Sequence, residues 1–243
     1  MILMFTDFGP AGPYLGEMEA ELARHAPEVP RIRLLADAPA FAPRPAAYLL
    51  AALAARFAPG DVCLAVVDPG VGGDRLPLAV EADGRWFVGP DNGLFELLLR
   101  RAERRRSFVI TWRPPQLSAS FHGRDLFAPV AARLARGERR GLEPATPTRF
   151  PDWPEDWPAI VYIDAYGNAM TGLRASAVAA GTVLRLGERE IGPARTFAAV
   201  AEGAAFWYVN SAGLVEIAVH RGHAATEFGL TIGSPVGLAD PGG

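Results

Sequence analysis

The segment ASFHGRDLFAP, from Ala119 to Pro129, sets His122, Arg124 and Asp125 within four residues of one another. A histidine can move a proton and an arginine and an aspartate can hold charge, the equipment of an acid–base or hydrolytic site. The same spacing also opens an ordinary amphipathic helix, with Asp125 in the first turn complementing the helix dipole. Two more carboxylates stand where apolar runs end: Asp7 in MILMFTDFG and Asp68 in DVCLAVVDPGVGGDR. If those runs are strands of an open α/β sheet, both carboxylates fall at its carboxyl edge, where ligands bind. Each would equally serve as the cap of the following loop or helix. Further along, Asp164, Tyr166 and Asn168 share the turn of YIDAYGN, and NSAGLVEIAV places Asn210 and Ser211 before an apolar run that contains Glu216. Turn chemistry explains the asparagines and the serine. An acid inside an apolar strand is less simply explained.

Several chemistries are excluded by what the chain lacks. All 24 basic side chains are arginine, so no lysine is available as nucleophile, Schiff base or phosphate-loop cation. DPGVGG has neither a GK[ST] ending nor GxGxxG spacing, which argues against a nucleotide-phosphate cradle. The lone Cys63 permits no internal disulfide and no zinc–thiolate cluster. His25, His220 and His223 have no evident carboxylate partners, so no metal site is expected. The formal net charge of -3 gives no nucleic-acid footprint. The one dense basic run, RRAERRR at 100–106, reads as a solvated helix end. No apolar run reaches membrane length and the first residues do not form a signal peptide, so a cytoplasmic protein without membrane association is expected.

The elements that must position these residues alternate in the first half. ILMFTD, RIRLLAD and the almost wholly apolar DVCLAVVD read as strands, the last as one buried on both faces. YLGEMEAELARHAP and PAAYLLAALAARFAPG read as helices between them. LPLAVEADGRWFVGP is a hairpin with a D-G turn. NGLFELLLRRA is helical, with Asp91 or Asn92 as its N-cap, SFVITW is a strand, and RDLFAPVAARLARG is a helix. This alternation predicts an N-terminal Rossmann-like α/β domain over 1–140. The Pro- and Trp-rich stretch 141–158 reads as a linker. Short β-like runs (AIVYID, GTVLRL, AAFWYVN, LVEIAVH) then predict a smaller all-β barrel over 159–243.

Taken in order, TDFG, VVDPGVGGDR, FVGPDNGLF, SFHGRDLFAP, IDAYGN and NSAGLVEIAV resemble the S-adenosylmethionine hydroxide adenosyltransferases, the adenosine-forming hydrolases related to the fluorinase and chlorinase. The resemblance runs from Ile2 to about Val236. It implies an α/β domain followed by a β-barrel, a homotrimer with ligand between subunits, and cleavage of S-adenosylmethionine by water to adenosine and L-methionine without metal or cofactor. The family's water-handling set falls on Asp68, Arg75 and His122, which the halide-using relatives lack. The ribose-binding aspartate falls on Asp7 and the aromatic packing beside the nucleoside on Phe41. Adenosine contacts fall on Asn168, Ser211, Glu216 and the backbone of Val219, while Asp164 and Tyr166 fall near the methionine end or the adenine. The chain departs from the family's pattern where Gly12 and Pro13 follow TDFG in place of the usual aspartate.

That chemistry suits the residues. A thioether leaving from a sulfonium needs no general acid, so the demand falls on the nucleophile, which must be held in line. Arg75 can favour the ionised form of a nearby water, and any of the three could take part in removing its proton. Phe8, Phe41 and Phe121 would give an apolar lining, or else pack in the core. Two other activities compete: a halogenase of the same substrate, and a non-catalytic adenosine-binding module.

Overall fold

The computed structural model describes residues 1–239; the last four residues of the expected 159–243 domain lie outside it. The chain divides into two compact units, Met1–Phe150 and Pro151–Gly243. The first is mixed α/β. Its elements are β1 (Ile2–Thr6), α1 (Tyr14–His25), β2 (Arg31–Leu35), α2 (Pro43–Ala54), β3 (Val62–Val66), β4 (Pro77–Ala82), β5 (Arg85–Pro90), α3 (Glu96–Arg101), β6 (Arg105–Ile110), α4 (Ala128–Ala135) and β7 (Leu142–Pro144). One seven-stranded sheet runs β2-β1-β3-β5-β4-β6-β7. Its first four strands are parallel and the remaining pairings antiparallel.

The apolar pattern accounts for the layers. Ile2, Met4, Val62, Leu64 and Val88 share a core with Met18 and Leu22 of α1 and Ala131 and Leu134 of α4. The alternate strand residues Leu3, Phe5, Cys63 and Ala65 are buried as well, as strands covered on both faces require. The D-G hairpin forms as expected: Asp83 and Gly84 both take positive φ, the tight turn that suits the twist of paired strands.

Two expectations are corrected. The run RRAERRR is not one helix end: Arg100 and Arg101 close α3, while Arg105 and Arg106 begin β6, where Arg106 pairs with Glu81 across the sheet. Neither Asp91 nor Asn92 caps α3. Asp91 accepts from the backbone and hydroxyl of Thr148, and Asn92 donates to the carbonyl of Val67. The stretch 141–158, expected as a linker, contains the boundary between the two units, after Phe150, and its first part is tied to the first unit. Leu142–Pro144 pair with β6, and buried Glu96 accepts from Arg149 and from the Phe150 N–H.

The second unit holds β8 (Trp157–Ile163), β9 (Ala169–Arg174), β10 (Val183–Leu186), β11 (Arg189–Ile191), β12 (Ala205–Val209), β13 (Leu214–Val219), α5 (Ala224–Phe228) and β14 (Gly237–Ala239). The strands make two antiparallel sheets, β12-β13-β9-β8 and β11-β10-β14, around a core that includes Ile160, Leu184, Trp207 and Ile217. β9 was not expected: in AMTGLR the apolar residues are too few to signal a strand, yet its neighbours β8 and β13 pair with it on both sides.

Candidate active site

Asp7 follows β1 and Asp68 lies two residues beyond β3, so the parallel strands deliver both carboxylates to one sheet edge. Arg75 closes the loop after β3. Its Nε donates to Asp68 Oδ1 at 3.0 Å and its Nη2 to Asp68 Oδ2. The two side chains are only 10% and 5% exposed, which makes this a buried ion pair. The same Nη2 lies 2.9 Å from Nδ1 of His122, forty-seven residues along. A guanidinium can only donate. Nδ1 is therefore the acceptor, and a neutral His122 ring carries its proton on Nε2. Burial, and next the charge of Arg75, hold His122 below the usual imidazole range, consistent with a neutral ring.

The loops meet because the backbones can approach closely. Gly72 in DPGVGG has φ +80°, and a Cβ there would stand 2.4 Å from the Ala119 carbonyl. Any side chain at this position would push apart the segments carrying Arg75 and His122. A Cβ at Gly123 would stand 3.2–3.4 Å from side-chain atoms of Met18, Phe121 and Phe8, a closer fit than most side chains accept.

The helix expected from RDLFAPVAARLARG starts differently. Gly123–Phe127 form a π-turn, and the Ala128 N–H reaches back to the Gly123 carbonyl. Pro129 has no N–H to give to the Asp125 carbonyl, so the regular ladder begins only with α4. Within this turn the apparent trio separates. His122 faces Arg75, whereas Arg124 pairs with Asp125 and with Glu17 of α1. Asp125 accepts the Ser118 N–H at 2.8 Å. It closes its own loop, which adds a specific bond to the dipole role expected of it.

A cavity of about 260 Å³ opens at this edge, lined by Asp7, Asp68 and His122 with Phe8, Tyr14, Phe41 and Phe121. Phe8, Tyr14 and Phe121 meet edge-on, with centroids 5.5–6.1 Å apart. All three phenylalanines face the cavity, and Phe8 and Phe121 also pack against the core, so both readings of these aromatics hold. Tyr14 was missed: it precedes the buried Leu15, Met18 and Leu22 stripe of α1, and no periodicity marks it. Asp7 accepts the N–H of Phe41 at 3.0 Å. Burial raises its carboxyl above the usual range, and Asp68 adds to the rise against the opposing backbone N–H bonds. Phe41 is 78% exposed and holds φ +58°, a strained conformation for a bulky side chain.

The remaining expected residues lie in the second unit. Asp164 accepts from the backbone of Tyr166 and from both backbone and side chain of Asn168. This buries Asn168 and leaves Tyr166 78% exposed. Glu216 is 2% exposed and accepts from Tyr208 Oη at 2.6 Å and Asn210 Nδ2 at 2.7 Å. Asn210 Oδ1 in turn accepts the N–H groups of Ala212 and Leu214, closing the turn that carries Ser211. Glu216, expected as a ligand contact, accepts from Tyr208 with one oxygen and from Asn210 with the other, and so also supports the loop. Burial raises its carboxyl, against the two hydrogen bonds, with Asp164 adding to the rise. The Val219 carbonyl accepts the Gly222 N–H at 3.0 Å. Tyr208 was missed because β12 reads simply as an apolar strand.

Comparison with known proteins places these residues in context. Residues 2–142 match the SAM hydroxide adenosyltransferase N-terminal domain and residues 158–237 its C-terminal domain. The chain is 40% identical to the (R)-S-adenosyl-L-methionine hydrolase of Thermus thermophilus, over 98% of each chain. It is 35% identical to the enzyme of that name from Salinispora tropica, over 94% of this chain and 93% of the relative. Among solved structures, a conserved protein of Thermotoga maritima superposes with a TM-score of 0.88 at 27% identity, covering 98% of this chain and all of the other. One from Thermus thermophilus gives 0.78 at 39% identity, covering 98% and 99%.

Proposed function

The chain belongs to the SAM hydroxide adenosyltransferase family, and on that premise we propose that it hydrolyses S-adenosyl-L-methionine to adenosine and L-methionine. The observation that carries the assignment of roles is the Asp68–Arg75–His122 chain at the wall of a cavity that Asp7 also lines. Asp68 fixes the guanidinium, and Arg75 fixes the imidazole tautomer. His122 then offers the cavity an N–H donor rather than a lone pair. A cation and a donor together favour hydroxide over water. Asp68 is engaged by Arg75 through both oxygens, and we assign the proton lost by water to solvent. The hydroxide oxygen forms a bond to C5′, the C5′–S bond breaks, and its electron pair stays on sulfur as neutral methionine. Anion and sulfonium cancel in the transition state, which a cavity walled by Phe8, Tyr14 and Phe121 favours over the separated ions. Asp7 accepts from the ribose hydroxyls, with Phe41 beside the nucleoside. Asn168, Ser211, Glu216 and the Val219 backbone serve the adenosine, and Asp164 and Tyr166 the methionine end or the adenine.

A thioether needs no Lewis acid to leave, so the reaction as proposed uses no metal or cofactor. The working form we propose is a cytoplasmic homotrimer with ligand between subunits, its first sheet Rossmann-like and its second unit a barrel. No described helix is long and apolar enough to cross a membrane. Halide use is not favoured, since the relatives above are hydrolases. Chromatography of a reaction with and without fluoride or chloride tests the reading. Equal amounts of adenosine and methionine, indifferent to halide, are expected. Halogenated nucleoside, or intact substrate beside folded protein, would overturn it. Sedimentation tests the trimer.

A further inference from the structure

We propose that Arg124 is a positioning residue for the hydrolysis: a clamp outside the cavity that holds the Phe121–His122 turn against the start of α1. The inference rests on the reading that His122 works on the nucleophile. Arg124 makes three kinds of contact at once. Its Nη1 donates to Glu17 Oε2 at 2.5 Å, joining segments 107 residues apart. Its Nε and Nη2 grip the adjacent Asp125 at 2.6 and 3.1 Å. Its guanidinium carbon lies 5.0 Å from the centroid of Phe121, within cation–π range.

Each contact bears on a cavity wall without entering the cavity. Phe121 lines it and packs edge-on against Tyr14 and Phe8. Tyr14 opens α1, the helix that carries Glu17. Asp125 fixes the loop before the turn through Ser118, and its own N–H donates to the Phe121 carbonyl at 3.2 Å. The clamp therefore closes a ring from α1, through Arg124 and Asp125, to Phe121 and His122. His122 must meet Arg75 at hydrogen-bond distance, and misplacement by an ångström is enough to slow a reaction that depends on alignment.

Stability alone does not account for this network. The Arg124 and Glu17 side chains are 34% and 39% exposed, and ion pairs so open to water contribute little to folding. Only the planar guanidinium makes all three contacts; an ammonium would keep the charge and lose the fork and the stack.

The experiment compares Arg124→Met, Arg124→Lys and Glu17→Gln in the full chain. Measured are single-turnover rate, KM, adenosine affinity by calorimetry, melting temperature and the pH profile of the rate. Arg124→Met is expected to slow the chemical step about a hundredfold, the cost of a lost alignment, while adenosine affinity and melting temperature stay close to wild type. Arg124→Lys recovers part of the rate. In Arg124→Met the acid limb of the profile moves to higher pH, because Asp125 loses its closest cation and its charge favours protonated His122. A wild-type rate in Arg124→Met overturns the proposal, as does a loss confined to KM or matched by a fall in melting temperature. Should Arg124→Met fail to fold, Glu17→Gln opens the same clamp from α1; a full rate there overturns the proposal and a slowed chemical step supports it. A wild-type protein that leaves S-adenosylmethionine intact removes the functional reading itself, whereas an active wild type with an equally active Arg124→Met removes only the clamp.

Discussion

Replacing Asp68 by asparagine keeps the shape of the side chain and removes its charge, leaving Arg75 buried without a counter-ion. The pair is 5% and 10% exposed. Breaking a pair this buried costs about 3–5 kcal/mol. At about 2–4 °C per kcal/mol for a chain of this size, the melting temperature should fall by roughly 6–20 °C. Arg106 pairs with Glu81 through the same two nitrogens, both on Oε2, at 57% and 16% exposure, and Glu81→Gln should cost no more than about 1 kcal/mol. Urea unfolding of both variants beside wild type measures the difference, and added salt should weaken only the exposed pair. The activity should part company in the same way. In Asp68→Asn the guanidinium loses its counter-ion and one of its two oxygen acceptors, so the rate should drop by about 10²-fold or more, as when one preorganised donor is lost. Glu81→Gln should leave it unchanged. An Asp68→Asn enzyme with wild-type rate would refute the role given to the Asp68–Arg75–His122 chain. Equal stability losses in the two variants would refute the burial argument.

Other outcomes follow from the same contacts. His122→Asn keeps an acceptor near Nδ1 for Arg75 but removes the Nε2 donor, so it should fold normally and lose about 10²–10³ in kcat; full activity would show that the ring is not needed beyond holding Arg75. Glu96 is held below the usual carboxylate range: burial raises it, but hydrogen bonds from Arg149, Arg100 and the Phe150 N–H outweigh this. Its contribution is thus present above the unfolded carboxylate pKa and lost as pH falls through the lower folded value. Glu96→Gln should flatten the acid side of the stability–pH curve, and an unchanged slope would contradict the contact. Glu216→Gln would keep its carbonyl on Asn210 Nδ2 and turn its amide N–H to Tyr208 Oη, whose own hydrogen then loses its acceptor, at a cost of about 1–3 kcal/mol; differential scanning calorimetry at neutral pH measures it. The raised carboxyl of Glu216 works in the opposite sense to that of Glu96, withdrawing stability as pH rises above the unfolded value.

The strands and helices of the first unit were legible because their periodicity is a property of neighbouring residues. The apolar run of β3, the stripe of Leu15, Met18 and Leu22 and the D-G turn each announce themselves locally. β9 and β7 did not, since their pairing partners, rather than their own pattern, make them strands. The π-turn at Gly123 escaped for a related reason. Pro129 marks an interruption, but the turn's shape depends on Asp125 reaching Ser118 and Arg124 reaching Glu17.

The site divides the same way. Sequence by itself determined the residue types at the strand ends, the lack of lysine and of a cysteine cluster, and the ordered motifs that carry the family resemblance. It left His122, Arg124 and Asp125 as equal neighbours. Only the tertiary structure separated them. Hydrogen bonds are short and directional, and whether His122 meets Arg75 depends on two loops brought together where Gly72 lets the Ala119 carbonyl approach. The direction of that bond, set by a guanidinium that can only donate, gives the imidazole its tautomer. The burial of the Asp68, Arg75 and Glu216 side chains comes from packing between segments far apart in the chain.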